Sequence, residues 1–420
     1  MALLGGLLAL GGCGPDHHHG GSFTKAPRPP AKSSPGSGLF AVDCANNKAY
    51  VPLDTLDGNE DGQVSVINLA ANPNTTDPRT TTIALTHSDI PTGTALDADH
   101  GLILVVGGGF VDVIDEATNT LVAGSPFALP NSGSAGSTGQ ILYNPTTHLA
   151  IVALATPASG FVTFDPVTHV FGTPIAASYA EAFSLNSATN VVMDGSDSTG
   201  DGSMDVIDIG GGRACTLTDI NIGSDLDGAS TDSGTNITII SNEDGTASVL
   251  NLQGAVFNPG GSVTPCTLDE ANAPNSVLVS GLPTSTAGSA VNGVTHQAFL
   301  IEDDSNGVSL IQLPSNVVSG QLQPGQLGTP KISTIPNTPL NTGWATQGDP
   351  YAVAIGECNN QGYAVDSAFD FLVQVDLTTL KNTPGNIATA LPAGNCAGTS
   401  TTFSCSNGSG VTFYPLPGVI

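Results

Sequence analysis

Positive charge is the scarcest thing in this chain. Eight of its 420 residues are Lys or Arg, against 36 Asp and Glu, for a formal net charge of −28. Nucleic acids and anionic lipid headgroups are held by cations that displace counterions, so neither is an expected ligand of so acidic a surface. Lys25, Arg28 and Lys32 all precede residue 38, and the arginines beyond it are Arg79 and Arg213. Little is left to grip a phosphate. Aromatic residues are sparse at 5%. Runs of Glu, Lys, Arg and Leu with a 3.6-residue period are nearly absent, which argues against helices. At 10% charged residues the chain is no coiled coil, and 39% apolar content exceeds that of a disordered chain. No C-x-x-C-H haem motif and no G-x-S-x-G nucleophile elbow occurs.

What the chain has instead is Gly (52) and Pro (29), spaced between short apolar stretches. That composition fits many short strands joined by tight turns. From Gly38 one pattern returns roughly every 40 to 65 residues. The clearest copy runs from Ile90 to Leu129. The first spans Gly38 to Leu69, and later copies begin at Gly139, Glu181, Gly228, Gly288 and Tyr351. Alternation such as Val64-Ser65-Val66-Ile67-Asn68 marks strands. A small twisted sheet cannot bury both faces alone, so seven such sheets are expected to pack face to face around an axis. The expected fold is all-β: a seven-bladed β-propeller of four-stranded antiparallel blades over residues 38–420, closed by terminal strands. The tail from Gly410 to Leu416 is expected to pair into the last blade.

Ala49-Tyr50-Val51 followed by Val64-Ser65-Val66-Ile67, and Val111-Asp112-Val113-Ile114-Asp115 followed by Thr118-Asn119-Thr120, resemble the YVTN family of propeller repeats. The resemblance covers nearly all of residues 38 to 390 and is strongest in copies one, two and seven. It implies the fold and a surface or periplasmic setting, and no reaction. Near the N-terminus, Ala2 to Gly12 form an apolar run too short to span a bilayer. It ends in Leu10-Gly11-Gly12-Cys13, which resembles the lipobox of bacterial lipoproteins. That resemblance implies a signal peptide over 1–13, a lipid on the Cys13 sulfur, and export to the outer membrane or cell surface. No Lys or Arg precedes the apolar run, a departure from the usual signal. Residues 14–37, with His17, His18 and His19 and a Pro/Ser-rich stretch, read as a tether that wanders on the order of 25–30 Å.

Six cysteines remain after Cys13. An even number in an exported chain suggests disulfides, and six allow fifteen pairings. The repeat register favours three: Cys44 with Cys358, at equivalent places in copies one and seven; Cys215 with Cys266, which share Cys-Thr-Leu; and Cys396 with Cys405, around a small loop.

The turns between second and third strands are acidic, and a propeller commonly binds ligands on their face. Asp57-Gly58-Asn59-Glu60-Asp61-Gly62 and Asp197-Ser198-Thr199-Gly200-Asp201-Gly202, with Asp205 beyond, set oxygen donors at alternate positions before a Gly. Glu302 to Gly307 form a third such turn. A hard cation such as calcium needs that pattern, and Asp57, Asn59, Asp61, Asp197, Thr199, Asp201 and Asp205 are the candidate ligands. No Glu stands at the twelfth position, and hairpin turns favour the same residues without any ion. His100, His148 and His296 fall in turns between first and second strands, expected to lie apart on the opposite rim. His169 sits in a later turn, and His87 near the ligand face. The innermost strands carry no His, Lys or Arg; Glu181 and Glu357 are their only candidate acids or bases. The expected function is therefore an envelope-anchored binding module for a protein, glycan or cation, with calcium as the candidate cofactor. The alternatives are a lactonase-like hydrolase using acidic residues and a divalent metal, or a structural component of a surface layer.

Overall fold

The computed structural model describes residues 40–53, 62–70, 79–86, 91–130, 138–154, 159–177, 182–195, 204–217, 222–223, 226–242, 244–252, 275–282, 286–302, 307–316, 322–334, 350–366, 371–378, 396–397, 404–405 and 411–415. Nearly all regular structure there is strand; one 3-10 turn occurs at Pro324–Gln326. No helix among these residues is long and apolar enough to cross a membrane.

Stretches rich in Val, Ile and Thr extend because β-branched side chains fit a pleated surface. In blade one they give Ala41–Asp43, Lys48–Leu53, Gln63–Asn68 and Arg79–Ala84, each antiparallel to the next. Six further sheets repeat this meander, with inner strands Pro91–Asp97, Thr138–Asn144, Ala182–Asn186, Leu226–Asp232, Thr286–Asn292 and Pro350–Gly356. In blades two and three the outer strand is broken into two short pieces, Thr120–Leu121 with Phe127–Ala128 and Val170–Phe171 with Ile175–Ala176. Successive inner strands touch, and Ala41–Asp43 touches both Pro91–Asp97 and Pro350–Gly356, so the ring closes. The molecule is a seven-bladed β-propeller.

Period-2 alternation explains the packing. In the second strand of blade one, Ala49 and Val51 turn toward blade seven and pack with Tyr363 and Leu372. Between them Tyr50 turns the other way and packs, with Val64 and Val66, against Ile103, Val105 and Ile114 of blade two. Each blade thus contributes one face to each of two cores. Full burial of a Val, Ile or Leu is worth about 1.5–3 kcal/mol, and Ile103, Val105 and Ile114 are wholly buried. A charged residue at any of them would leave an unpaired charge between two sheets.

The C-terminal tail supplies the outer strand of blade seven: Val411–Pro415 pairs with Phe371–Asp376. All four strands of blade seven come from residues after 349, and all four of blade one from residues before 85. The ring therefore closes between two complete blades.

Candidate functional site: the turn face of the ring

Seven turns join the inner strand of each blade to its second strand, and all lie on one face. Their sequences share a plan. Six begin with Asp or Asn: Asp43, Asp97, Asn144, Asn186, Asp232 and Asn292. Four residues later stand Asn47, Gly101, His148, Asn190, Asn236 and His296, and in blade seven Asn360, all with φ between 51° and 64°. Asn and Gly tolerate that left-handed conformation best. The first residue caps its own turn. Asn292 Oδ1 accepts from the amides of Val294 (2.9 Å) and Thr295 (3.1 Å), and Asp232 Oδ1 from those of Gly234 (3.0 Å) and Thr235 (3.3 Å).

The remaining polar atom of that residue reaches the next blade. Asn144 Nδ2 donates to Asn190 Oδ1 (2.9 Å), Asn186 to Asn236 (2.6 Å) and Asn292 to Asn360 (2.9 Å). Between blades five and six, Asp232 Oδ2 meets His296 Nδ1 at 2.6 Å. The first residue of one turn thus grips the last residue of the following turn at four successive junctions. The result is an arc of hydrogen bonds from blade three to blade seven.

Other chemistry holds the remaining three junctions. Between blades one and two, buried Glu116 accepts from Tyr50 Oη (3.0 Å) and pairs with Lys48 Nζ (3.4 Å). Burial and the Glu116 carboxylate drive the Tyr50 phenol far above its usual pKa. Between blades two and three, His148 Nδ1 lies 3.3 Å from Asp99 Oδ2, while Asp97 Oδ2 holds His100 Nδ1 at 2.8 Å. Burial, then the bond to Asp97, pushes the Tyr143 phenol up as well. Between blades seven and one stands the Cys44–Cys358 disulfide, with Cα atoms 6.0 Å apart.

The histidines therefore lie otherwise than their sequence positions suggested. His100 and His148 meet across two blades with ring centroids 5.9 Å apart, and His296 is seated on a carboxylate of the preceding blade. Turns next to the axis come close together, so neighbouring residues converge there. His169 stacks on Phe127, with ring centroids 4.2 Å apart. Glu357 is exposed and accepts from the Gly293 amide at 3.0 Å.

Of the candidate calcium ligands, Asp205 is a buried strand residue whose carboxylate accepts from Thr216 Oγ1 at 2.5 Å. Its backbone lies opposite Asp194. Asp57, Asn59, Asp61, Asp197, Thr199 and Asp201 lie outside the described residues, as do Cys13, His17, His18, His19, His87 and Glu181. Among the described residues, no group of three His, Cys, Asp or Glu side chains is placed to hold a metal ion. Cys215 is disulfide-bonded, and Cys266, its expected partner, lies outside the described residues. Cys396 and Cys405 face each other across a two-stranded ribbon.

The arc itself was missed in the sequence. Its signal is an Asp or Asn followed four residues later by Asn, Gly or His, once in each of six repeats. No protein-family model matches the chain, and no curated protein matches it.

Proposed function

We propose that the protein is an exported, lipid-anchored binding module that presents the turn face of its propeller to a polar partner. The arc of interlocked turns carries this reading. Each side chain that opens a turn in it is held by its own turn and by its neighbour, so little conformational freedom of these turns remains to be lost on binding. The residues that open these turns are themselves buried, and the exposed side chains of this face include Asp99, His100, His148 and Glu357, a set suited to a cation, a basic protein segment or a glycan. Export and anchoring at a bacterial outer membrane or cell surface rest on Leu10-Gly11-Gly12-Cys13, and the YVTN resemblance agrees with such a setting. Acidic turns at Asp57–Asp61 and Asp197–Asp201, which the sequence places between second and third strands and so at the other rim, make calcium the cofactor of choice there.

The test is a screen of immobilised glycans and basic peptides against the purified protein, in calcium and in chelator. Binding that weakens with salt and drops at least tenfold in Glu357→Gln supports the reading. Binding that is absent from both libraries under both conditions sinks it, and large particles in solution would then favour a surface-layer component.

One observation favours a second reading, hydrolysis. The Asp232 carboxylate on His296 Nδ1 holds the imidazole as in an Asp–His pair and leaves Nε2 to take a proton from water. Lactone hydrolysis that disappears in His296→Ala would establish it. Equal rates in the variant and the parent would end it.

A further inference from the structure

We propose that the junction of blades seven and one is a redox-operated latch, in which the Cys44–Cys358 disulfide does the work that an Asn or Asp side chain does at the four preceding junctions. The position that begins the turn in the other six blades is Gly356 in blade seven. With no side chain, Gly356 cannot reach across to Asn47 of blade one. The Cys44–Cys358 link crosses the seam beside it. A Cβ built on Gly356 would lie 3.2 Å from Cys44 Cβ and would run into the Asn359 side chain. Packing around the cystine thus leaves no room for an Asx side chain at this position. Cys358 also donates its amide to Cys44 Sγ at 3.2 Å.

This junction is where the two ends of the propeller chain meet, with 314 residues between the cysteines. Every other junction joins blades that are consecutive in the chain. The seam alone joins blades distant in sequence, and it is the one given a covalent link on this face. The link is also reachable: Cys358 is exposed and Cys44 half-buried. A thiolate of a dithiol reductant attacks the Cys358 sulfur, and Cys44 leaves as a thiolate and takes a proton. The second reductant thiol then releases Cys358. Two electrons pass to the cystine, and the reductant becomes a disulfide. Reduced, the seam is held by the apolar contacts of Phe40, Ala49 and Val51 with Tyr363 and Leu372.

The test uses the full chain with Cys44→Ser and Cys358→Ser together, which spares the other cysteines. We expect Tm to fall on the order of 5–10 °C. Amide exchange should quicken in Ala41–Asp43 and Pro350–Gly356, while the inner strands of blades four and five keep their protection. Treating the parent with a dithiol should reproduce that local pattern. The proposal is overturned if exchange rises evenly round the ring or if Tm does not move.

Discussion

Burial pushes the pKa of Asp43 upward, yet the hydrogen bonds that its carboxylate accepts from the Asn46 amide, the Asn46 side chain and the Ala45 amide outweigh it and hold the carboxyl below its usual range. Asp165 behaves alike: burial raises its pKa, and the hydroxyl and amide of Thr168 with the Val167 amide lower it further. A carboxyl whose pKa is lower folded than unfolded adds stability above the unfolded value and loses it as pH falls through the folded value. Asp43→Asn, which removes the charge and keeps the shape, should therefore lower Tm at pH 7 by about 1–2 °C, for roughly 1 kcal/mol of a charge-assisted bond. The gap between variant and parent should close as pH drops below the ordinary Asp value of about 3.8. A gap as wide at pH 3 as at pH 7 would show that the charge on Asp43 contributes nothing.

At the scale of the turn, much was legible and the decisive part was not. Alternating stretches such as Gln63–Asn68 marked the strands, whose side chains point by turns into the two cores flanking the blade, so that Val64 to Ile67 are all buried. Equivalent turn positions were enough to pair Cys44 with Cys358. Asn186 and Asn236, by contrast, are ordinary turn residues when read alone, since Asn caps turns and adopts positive φ anyway. Their second task appears only when two blades meet and bring together side chains 50 residues apart. The two tasks can be separated experimentally. Asn236→Gly keeps the left-handed turn and removes the bond to Asn186, so it should cost about 1 kcal/mol. Asn236→Ala removes the bond and also forces Cβ into a left-handed conformation, adding roughly 1–2 kcal/mol. Denaturant melts of both variants measure the difference. Equal losses would mean that the link between blades, and not the left-handed turn, sets the requirement for Asn.

Across the whole molecule the dominant electrostatic fact is a charge of −28. Folding draws carboxylates distant in sequence onto one ring, whereas the unfolded chain spreads them out, so self-repulsion works against the folded state. Salt shortens the range of that repulsion from about 30 Å at 0.01 M to about 10 Å at 0.1 M. Among the described residues, the pairs Lys48–Glu116 and His148–Asp99 are partly exposed and salt weakens them too, but such pairs are worth at most about 1 kcal/mol. Repulsion should therefore win, and Tm should climb by several degrees between about 0.01 M and 0.15 M sodium chloride and level off beyond. Calcium at matched ionic strength separates screening from binding. A further rise with calcium, lost on replacing Asp57 or Asp201 by Asn, would mark a cation held by those acidic turns, because screening depends on ionic strength and bound ions on particular oxygens. A Tm indifferent to both salts would mean that the ring tolerates its charge, and that its limits are set at the junctions between blades.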